Sequence, residues 1–190
     1  MANNKINLKG FIICIFSMCL LLSACSDIKV RPQEDIYFSI SPFIDNLANE
    51  LENKNAALSK QALLNGKQDS SLIQNVNWEN ELSIFKEAEI NKTAYKGKIA
   101  VDSNVNKLGQ QVLNYKTDDK KIRVKSLSVT KDQNGNIQHI EIKMATKNTL
   151  YHSVQHLELF PDRGFNVSGA QNIIQLSADT FSLEGRFIFE

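Results

Sequence analysis

The chain has 190 residues, of which 42% are hydrophobic and 23% are charged, with 8 Gly and 3 Pro. This composition is typical of one globular domain and excludes a disordered or collagen-like chain. Lys and Arg number 22 and Asp and Glu number 21, so the net charge is +1. A net charge this small predicts no nucleic acid partner and no strong field toward an anionic membrane surface.

Residues 1–24 have the features of a bacterial export signal. Lys5 and Lys9 precede an apolar run that only Ser17 interrupts, and Leu22-Ser23-Ala24-Cys25 follows. The run is much shorter than the ~20 residues that a membrane-spanning helix needs, whereas the order of the basic, apolar and small residues suits a signal peptide. The last four residues resemble the bacterial lipobox. This resemblance implies that Cys25 is lipidated, that the chain is cut before it, and that an acyl chain such as palmitate is added to its amine.

The mature chain would then begin at Cys25. Cys14 and Cys19 leave with the signal peptide, so no free thiol, disulfide or Cys metal ligand is expected. Ser26 follows the lipidated residue. In the sorting rule of enteric bacteria an Asp at this place retains a lipoprotein in the inner membrane. Ser26 therefore predicts an outer-membrane lipid anchor, and the lack of a dense acidic run favours the periplasmic face over the cell surface.

The chain divides into a signal peptide over 1–24, a lipidated tether over 25–40 and a single α+β domain over 41–190. Ser41-Pro42 and the helical spacing of the following apolar residues predict a helix over 42–57. Asn77 is a candidate cap for a second helix over 77–91. Its apolar stripe consists of Trp78, Leu82, Phe85 and Ala88.

The remaining segments predict strands. Residues 59–76 could extend the first helix or begin a strand, and Asn65-Gly66 favours a small hairpin over 63–73. From Gly97 onward the apolar period is two. The candidate strands are 95–101, 109–117, 121–131, 136–146, 150–160, 165–176 and 180–189. The parity of the apolar residues shifts near Ser126, which predicts a β-bulge there, and Gly169 is either a bulge or a close packing point.

Turn signals about every ten residues predict an antiparallel meander. A sheet that is apolar on one side needs a cover, and the two predicted helices are the candidates. The predicted fold class is therefore α+β, with two N-terminal helices packed on a curved antiparallel β-meander of about six strands.

No catalytic motif is found in the sequence. His152 and His156 lie four apart in a predicted strand, hence ~13 Å apart, too far to share a metal, and His139 could approach them from the neighbouring strand. The segment 132–135 suits a hairpin turn better than a calcium loop. No phosphate loop or nucleophile elbow is present. We therefore expect no enzyme activity, no metal and no cofactor.

Four aromatic residues are either core residues or a stacking platform: Trp78, Tyr95, Tyr115 and Tyr151.

Three segments carry a resemblance to known proteins. They are Trp78-Glu79-Asn80-Glu81-Leu82, Ile90-Asn91-Lys92 and Leu150-Tyr151-x-Ser153-x-Gln155-x-Leu157. Together with the lipobox they resemble a group of small lipoproteins of Bacteroidota that has no assigned activity, so the resemblance implies no catalytic residues. The predicted architecture also resembles the open half-barrels that carry lipoproteins or lipids between bacterial membranes, which is an analogy of fold alone.

Two functions remain as hypotheses. The first is a non-enzymatic binding or scaffold domain, tethered to the envelope membrane through Cys25, that binds another envelope protein through an exposed sheet edge. The alternative is a carrier of lipid or another apolar ligand in an open half-barrel. The residues expected to line that site are Ile140, Ile142, Met144, Phe181, Leu183, Phe187 and Phe189. Whether the two helices fill this apolar face distinguishes the two hypotheses.

Overall fold

The structure is a computed structural model that describes residues 36–173 and 178–189. Asp35–Glu190 form one compact unit. Its buried core includes residues from Tyr37 to Phe187, so this unit carries its own core and is expected to fold without residues 1–34. The predicted signal peptide, the lipidation site Cys25 and most of the predicted tether lie outside the described residues.

In the part of the chain that the structure describes, nine strands form one antiparallel sheet. They are β1 (Ala57–Leu64), β2 (Lys67–Ile73), β3 (Ala100–Val105), β4 (Gln111–Lys116), β5 (Val124–Lys131), β6 (Ile137–Lys147), β7 (Tyr151–Phe160), β8 (Gly164–Ile173) and β9 (Asp179–Ile188). The order across the sheet is β2-β1-β9-β8-β7-β6-β5-β4-β3. From β3 to β9 each strand pairs with the next one in the chain, and the β1-β2 hairpin joins this meander through β9. The sheet is open, and β2 and β3 are its two edges.

Over residues 36–173 and 178–189, helical residues are few. The main helix is α1 (Ile40–Asn53), followed by two single turns, α2 (Trp78–Glu81) and α3 (Ser83–Lys86), and by a 3-10 turn over Thr93–Tyr95. The apolar side of α1 is buried through Ile40, Ile44, Leu47, Ala48 and Leu51. Within the described residues no helix combines the length and the apolar character that crossing a membrane requires.

The predicted fold class is wrong. The protein is mostly a curved open sheet of nine strands with short helices, rather than a meander of about six strands under two N-terminal helices. The segment 77–91 begins as predicted, because the Asn77 side chain accepts a hydrogen bond from the Asn80 amide at 3.0 Å. It does not continue as one helix. Leu82 has φ −93° and ψ 0°, and the Phe85 amide donates to the Leu82 carbonyl three residues earlier, so the α-helical hydrogen bonding is interrupted between α2 and α3.

Three local predictions about the strands can be checked. Asn65 (φ 49°) and Gly66 (φ 81°) form the two-residue turn between β1 and β2, as the sequence predicted. The β5-β6 register shifts between Val124 and Ser126, which confirms the bulge. At Gly169 the register is unbroken, and a Cβ there would lie 2.8 Å from the Phe181 ring. Gly169 is therefore a close packing point.

Aromatic rings join the short helical turns to the sheet. The Phe85 ring meets the Phe165 ring edge to face at 6.0 Å, and the Trp78 ring meets the Phe187 ring in the same way at 5.2 Å. Both pairs belong to the buried core. They cover the ends of β8 and β9 on one face of the sheet, called here the helix-side face, and leave the opposite face uncovered.

Candidate functional site

The seven predicted lining residues do not form one cavity. Ile140 and Ile142 are 0% exposed, Met144 is 3% exposed and Phe187 is 6% exposed. They belong to the core beneath the helices. Ile140, Ile142 and Phe187 are thus packed against protein, whereas Met144, together with Phe181, is among the residues that line a groove on β6, β7 and β8.

The other three predicted residues lie at the margin of the core. Phe181 and Leu183 are partly buried against it. Phe189 is 44% exposed, and Lys54 Nζ lies 5.6 Å from its ring centroid. Phe189 lines an apolar pocket of about 590 Å³ at the end of α1, whose other lining residues include Leu47, Leu51 and Pro161.

The three histidines are spread along the opposite face. His139 stacks on the Phe160 ring with 4.3 Å between the ring centroids. His156 pairs with Lys143 across the ladder and His152 pairs with Lys147. At ~3.3 Å per residue, His139 and His152 are thus ~26 Å apart along the sheet. Within the part of the chain that the structure describes, no three His, Cys, Asp or Glu side chains are placed to hold a metal ion.

Two carboxylates on the opposite face pair with these histidines. Glu141 Oε1 lies 3.0 Å from His156 Nε2 and 3.1 Å from Lys143 Nζ. Burial raises the pKa of Glu141, but the hydrogen bonds from Lys143 and His156 outweigh it and lower that pKa below its usual value. The Glu141 carboxylate is therefore charged at neutral pH and acts as an ion-pair partner.

His139 is in a more enclosed position. Its Nε2 is buried without a hydrogen bond and lies 3.6 Å from Glu158 Oε1. Burial lowers the pKa of His139 below its usual value, and the charges of Glu158 and Glu141 oppose this shift only in part. At neutral pH this imidazole is therefore neutral, and its main contact is the stack on Phe160.

A shallow groove of about 590 Å³ crosses β6, β7 and β8 on the opposite face. Its floor contains Ala145, Val154 and Ala170, which pair across the three strands. Lys143 and His156 lie at its rim. Small side chains on three neighbouring strands create this groove, and its combination of an apolar floor and a basic rim suits an apolar ligand with an acidic group.

The β3 edge of the sheet is exposed along its whole length. All six of its residues are exposed, with Val101 at 53% and Val105 at 70%. The Asn106 amide donates to the Gln110 carbonyl at the hairpin end. Since bonded and non-bonded pairs alternate in an antiparallel ladder, the N–H and C=O groups of Val101, Ser103 and Val105 point away from β4 toward the free edge.

The side chains of this edge continue the apolar face. Val101 pairs with Tyr115, which pairs with Leu127, so all three lie on the helix-side face. Proteins usually protect a free edge with Lys, Pro or a bulge, and β3 has none of these devices. The sequence analysis placed this strand at 95–101, whereas the structure has a 3-10 turn over Thr93–Tyr95 and the strand at Ala100–Val105. The available signal for the observed strand was that Val101 and Val105 share one parity while the polar residues Asp102 and Asn104 share the other.

Comparisons with protein families, with characterised proteins and with solved structures found no significant similarity to this chain. The functional proposals therefore depend on the sequence and geometry of the chain itself.

Proposed function

We propose that the protein is a bacterial envelope lipoprotein that acts as a non-enzymatic binding or scaffold domain. Cys25 carries the lipid anchor, and the domain lies on the periplasmic face of the outer membrane. The lipobox and Ser26 support this location. The open β3 edge is the observation that supports binding, because its outward backbone groups have no strand partner within the described residues and lie beside exposed apolar side chains.

The partner is a protein that adds an extended segment to β3. Backbone hydrogen bonds to Val101, Ser103 and Val105 would provide affinity in this mode, and side-chain contacts would provide specificity. Apolar residues on the helix-side face of the added strand would cover Val101 and Val105 next to Leu113 and Tyr115. Alternate residues of the partner segment would face solvent, so we expect a segment with period-two apolar residues.

A proline at Ser103 tests this proposal. The Ser103 amide points to the free edge, so Ser103→Pro removes an edge donor without removing a ladder bond to β4. Gln68→Pro is the matched control, since Gln68 holds the equivalent outward position on the other edge strand, β2. Protein captured from solubilised envelope should contain one reproducible partner with the wild type and with Gln68→Pro, and should lack it with Ser103→Pro. Equal capture by all three proteins would contradict binding at β3.

The anchor has its own test. Radioactive palmitate should label the full chain in cells, and Cys25→Ala should abolish the label and release the protein from the membrane fraction. Cys14→Ala serves as the control, because that residue belongs to the predicted signal peptide. Labelling that survives Cys25→Ala would contradict the lipoprotein assignment.

The alternative of an apolar ligand carrier is supported by the groove over Ala145, Val154 and Ala170. If a lipid binds there, native mass spectrometry of the envelope-purified domain should show a bound mass. Ala145→Phe would fill the groove and remove that mass. A lipid retained by Ala145→Phe would exclude the groove as its site.

A further inference from the structure

The small net charge of the protein conceals a strong separation of charge along the chain. Residues 91–131 contain ten Lys and Arg but three Asp, a net charge of +7. The rest of the predicted mature chain contains ten Lys and Arg against eighteen Asp and Glu, a net charge of −8. The weak field expected from the net charge is therefore an average over two oppositely charged regions.

Much of this positive charge lies on one surface. Thr117 Oγ1 donates to the Lys98 carbonyl at 2.7 Å, and Ala100 pairs with Lys116, so the segments 92–98 and 116–121 are adjacent. Their lysines, called here the basic surface, are Lys92, Lys96, Lys98, Lys116, Lys120 and Lys121. All six are exposed, and within the described residues none forms an ion pair with a carboxylate. The acids in these two segments are Asp118 and Asp119.

The N-terminal segment joins the domain beside this surface. The Ile36 amide donates to Asn91 Oδ1 at 2.9 Å. Tyr37 Oη donates to the Tyr95 carbonyl and accepts a hydrogen bond from the Gly97 amide, both at 3.0 Å. Ten residues lie between Cys25 and Ile36, so the distance between these two residues is at most ~40 Å when the chain is fully extended. A lipid on Cys25 would therefore keep the basic surface close to the bilayer.

We propose that the basic surface binds the anionic phospholipid headgroups of the leaflet that holds the lipid anchor. The lipid chains hold the protein on the membrane, and the lysines orient the domain with the start of β3 toward it. Several clustered lysines near an anionic leaflet form such a contact, and salt weakens it. The location of this contact depends on the proposed lipid anchor, whereas headgroup binding is a property of the domain alone.

The test uses residues 27–190, which contain the whole compact unit. Sedimentation would compare vesicles of phosphatidylcholine with vesicles of phosphatidylcholine and phosphatidylglycerol in equal amounts. The variant is Lys96→Gln with Lys98→Gln and Lys121→Gln. The matched control neutralises three exposed lysines elsewhere: Lys67→Gln, Lys107→Gln and Lys147→Gln. Circular dichroism and thermal melting would check that both variants fold.

The wild type and the control should bind the anionic vesicles but not the neutral ones, and high salt should release them. Each lysine near an anionic surface contributes about fivefold to partitioning, so the basic-surface variant should bind ~100-fold more weakly. Two results would overturn the proposal. One is a wild type that does not bind anionic vesicles, and the other is an equal loss in both variants. Palmitate labelling of Cys25 is independent of either result, so failure of this proposal is distinguishable from failure of the lipid anchor.

Discussion

Gly185 gives the sharpest test of how the sheet packs. It lies in β9 opposite Phe165 of β8, and it is buried. A Cβ at this position would lie 2.5 and 2.9 Å from Cε1 and Cε2 of the Phe165 ring, well inside ordinary contact distance. The ring cannot easily move aside, because it packs against Phe85 at 6.0 Å and Phe187 at 6.2 Å.

Gly185→Ala should therefore lower the free energy of unfolding by about 1–3 kcal/mol, the usual cost of overpacking a core. For a domain of this size that corresponds to a decrease in Tm of about 2–4 °C per kcal/mol. Chemical denaturation monitored by circular dichroism would measure it. Ser182→Ala is the control, since Ser182 is exposed on the same strand, and it should change stability by less than about 0.5 kcal/mol.

A double-mutant cycle identifies the cause. Phe165→Leu removes the ring that the new Cβ would meet, so Gly185→Ala should cost at least about 0.5 kcal/mol less in that background than in the wild type. The packing described here would be refuted if Gly185→Ala were as mild as Ser182→Ala. It would also be refuted if the cost of Gly185→Ala were the same with Phe165 and with Leu at that position.

Three further predictions each concern one residue. Gly66→Ala places a side chain at φ +81° and should cost ~1 kcal/mol in denaturation, and no change would contradict the described turn. Asn91→Ala removes the acceptor of the Ile36 and Tyr37 amides, so hydrogen exchange at these two amides should accelerate while exchange in β6 does not. Burial lowers the pKa of His139, so the unfolded chain binds the proton more readily and stability should fall as pH drops below about 6.5. His139→Phe should reduce that fall between about pH 7 and pH 5, and an unchanged pH profile would contradict it.

Strands whose apolar residues alternate without interruption were predictable from the sequence. In β6 the residues Ile140, Ile142 and Met144 alternate with His139, Glu141 and Lys143, and the predicted bounds 136–146 differ from the observed Ile137–Lys147 by one residue. Local periodicity is sufficient in such a strand, because each neighbouring pair of residues already distinguishes the two faces.

The β1 strand lacked this signal. Lys60 lies on the helix-side face of β1 opposite Gly185, where its Nζ lies 2.8 Å from Glu81 Oε2 of α2. A lysine in place of an apolar residue interrupts the alternation over 57–64. The pairing of β1 with β9 also joins segments more than 100 residues apart, as in the hydrogen bond of Asn65 Nδ2 to Asp179 Oδ1 at 2.8 Å. The local sequence gives no signal for such a long-range pairing, so the number of strands in the sheet was underestimated.

The candidate surfaces were predictable to different degrees. Parity correctly placed Ile142 and Leu183 on one face, but the burial of Ile142 in a core that also contains residues of the helical segments is a property of the folded chain. The lysines of the basic surface are visible in the sequence. Their accumulation on one surface depends on the contact between Lys98 and Thr117, which only the fold shows.

Photo-cross-linking in living cells would show whether β3 binds a partner strand. A photoreactive residue would replace Val105 on the β3 edge or, as the matched control, Leu72 on the β2 edge, since these side chains are 70% and 62% exposed. We expect one discrete cross-linked protein from position 105, its loss in the Ser103→Pro background, and no such product from position 72. The same products from both edges, or none from position 105, would contradict this expectation.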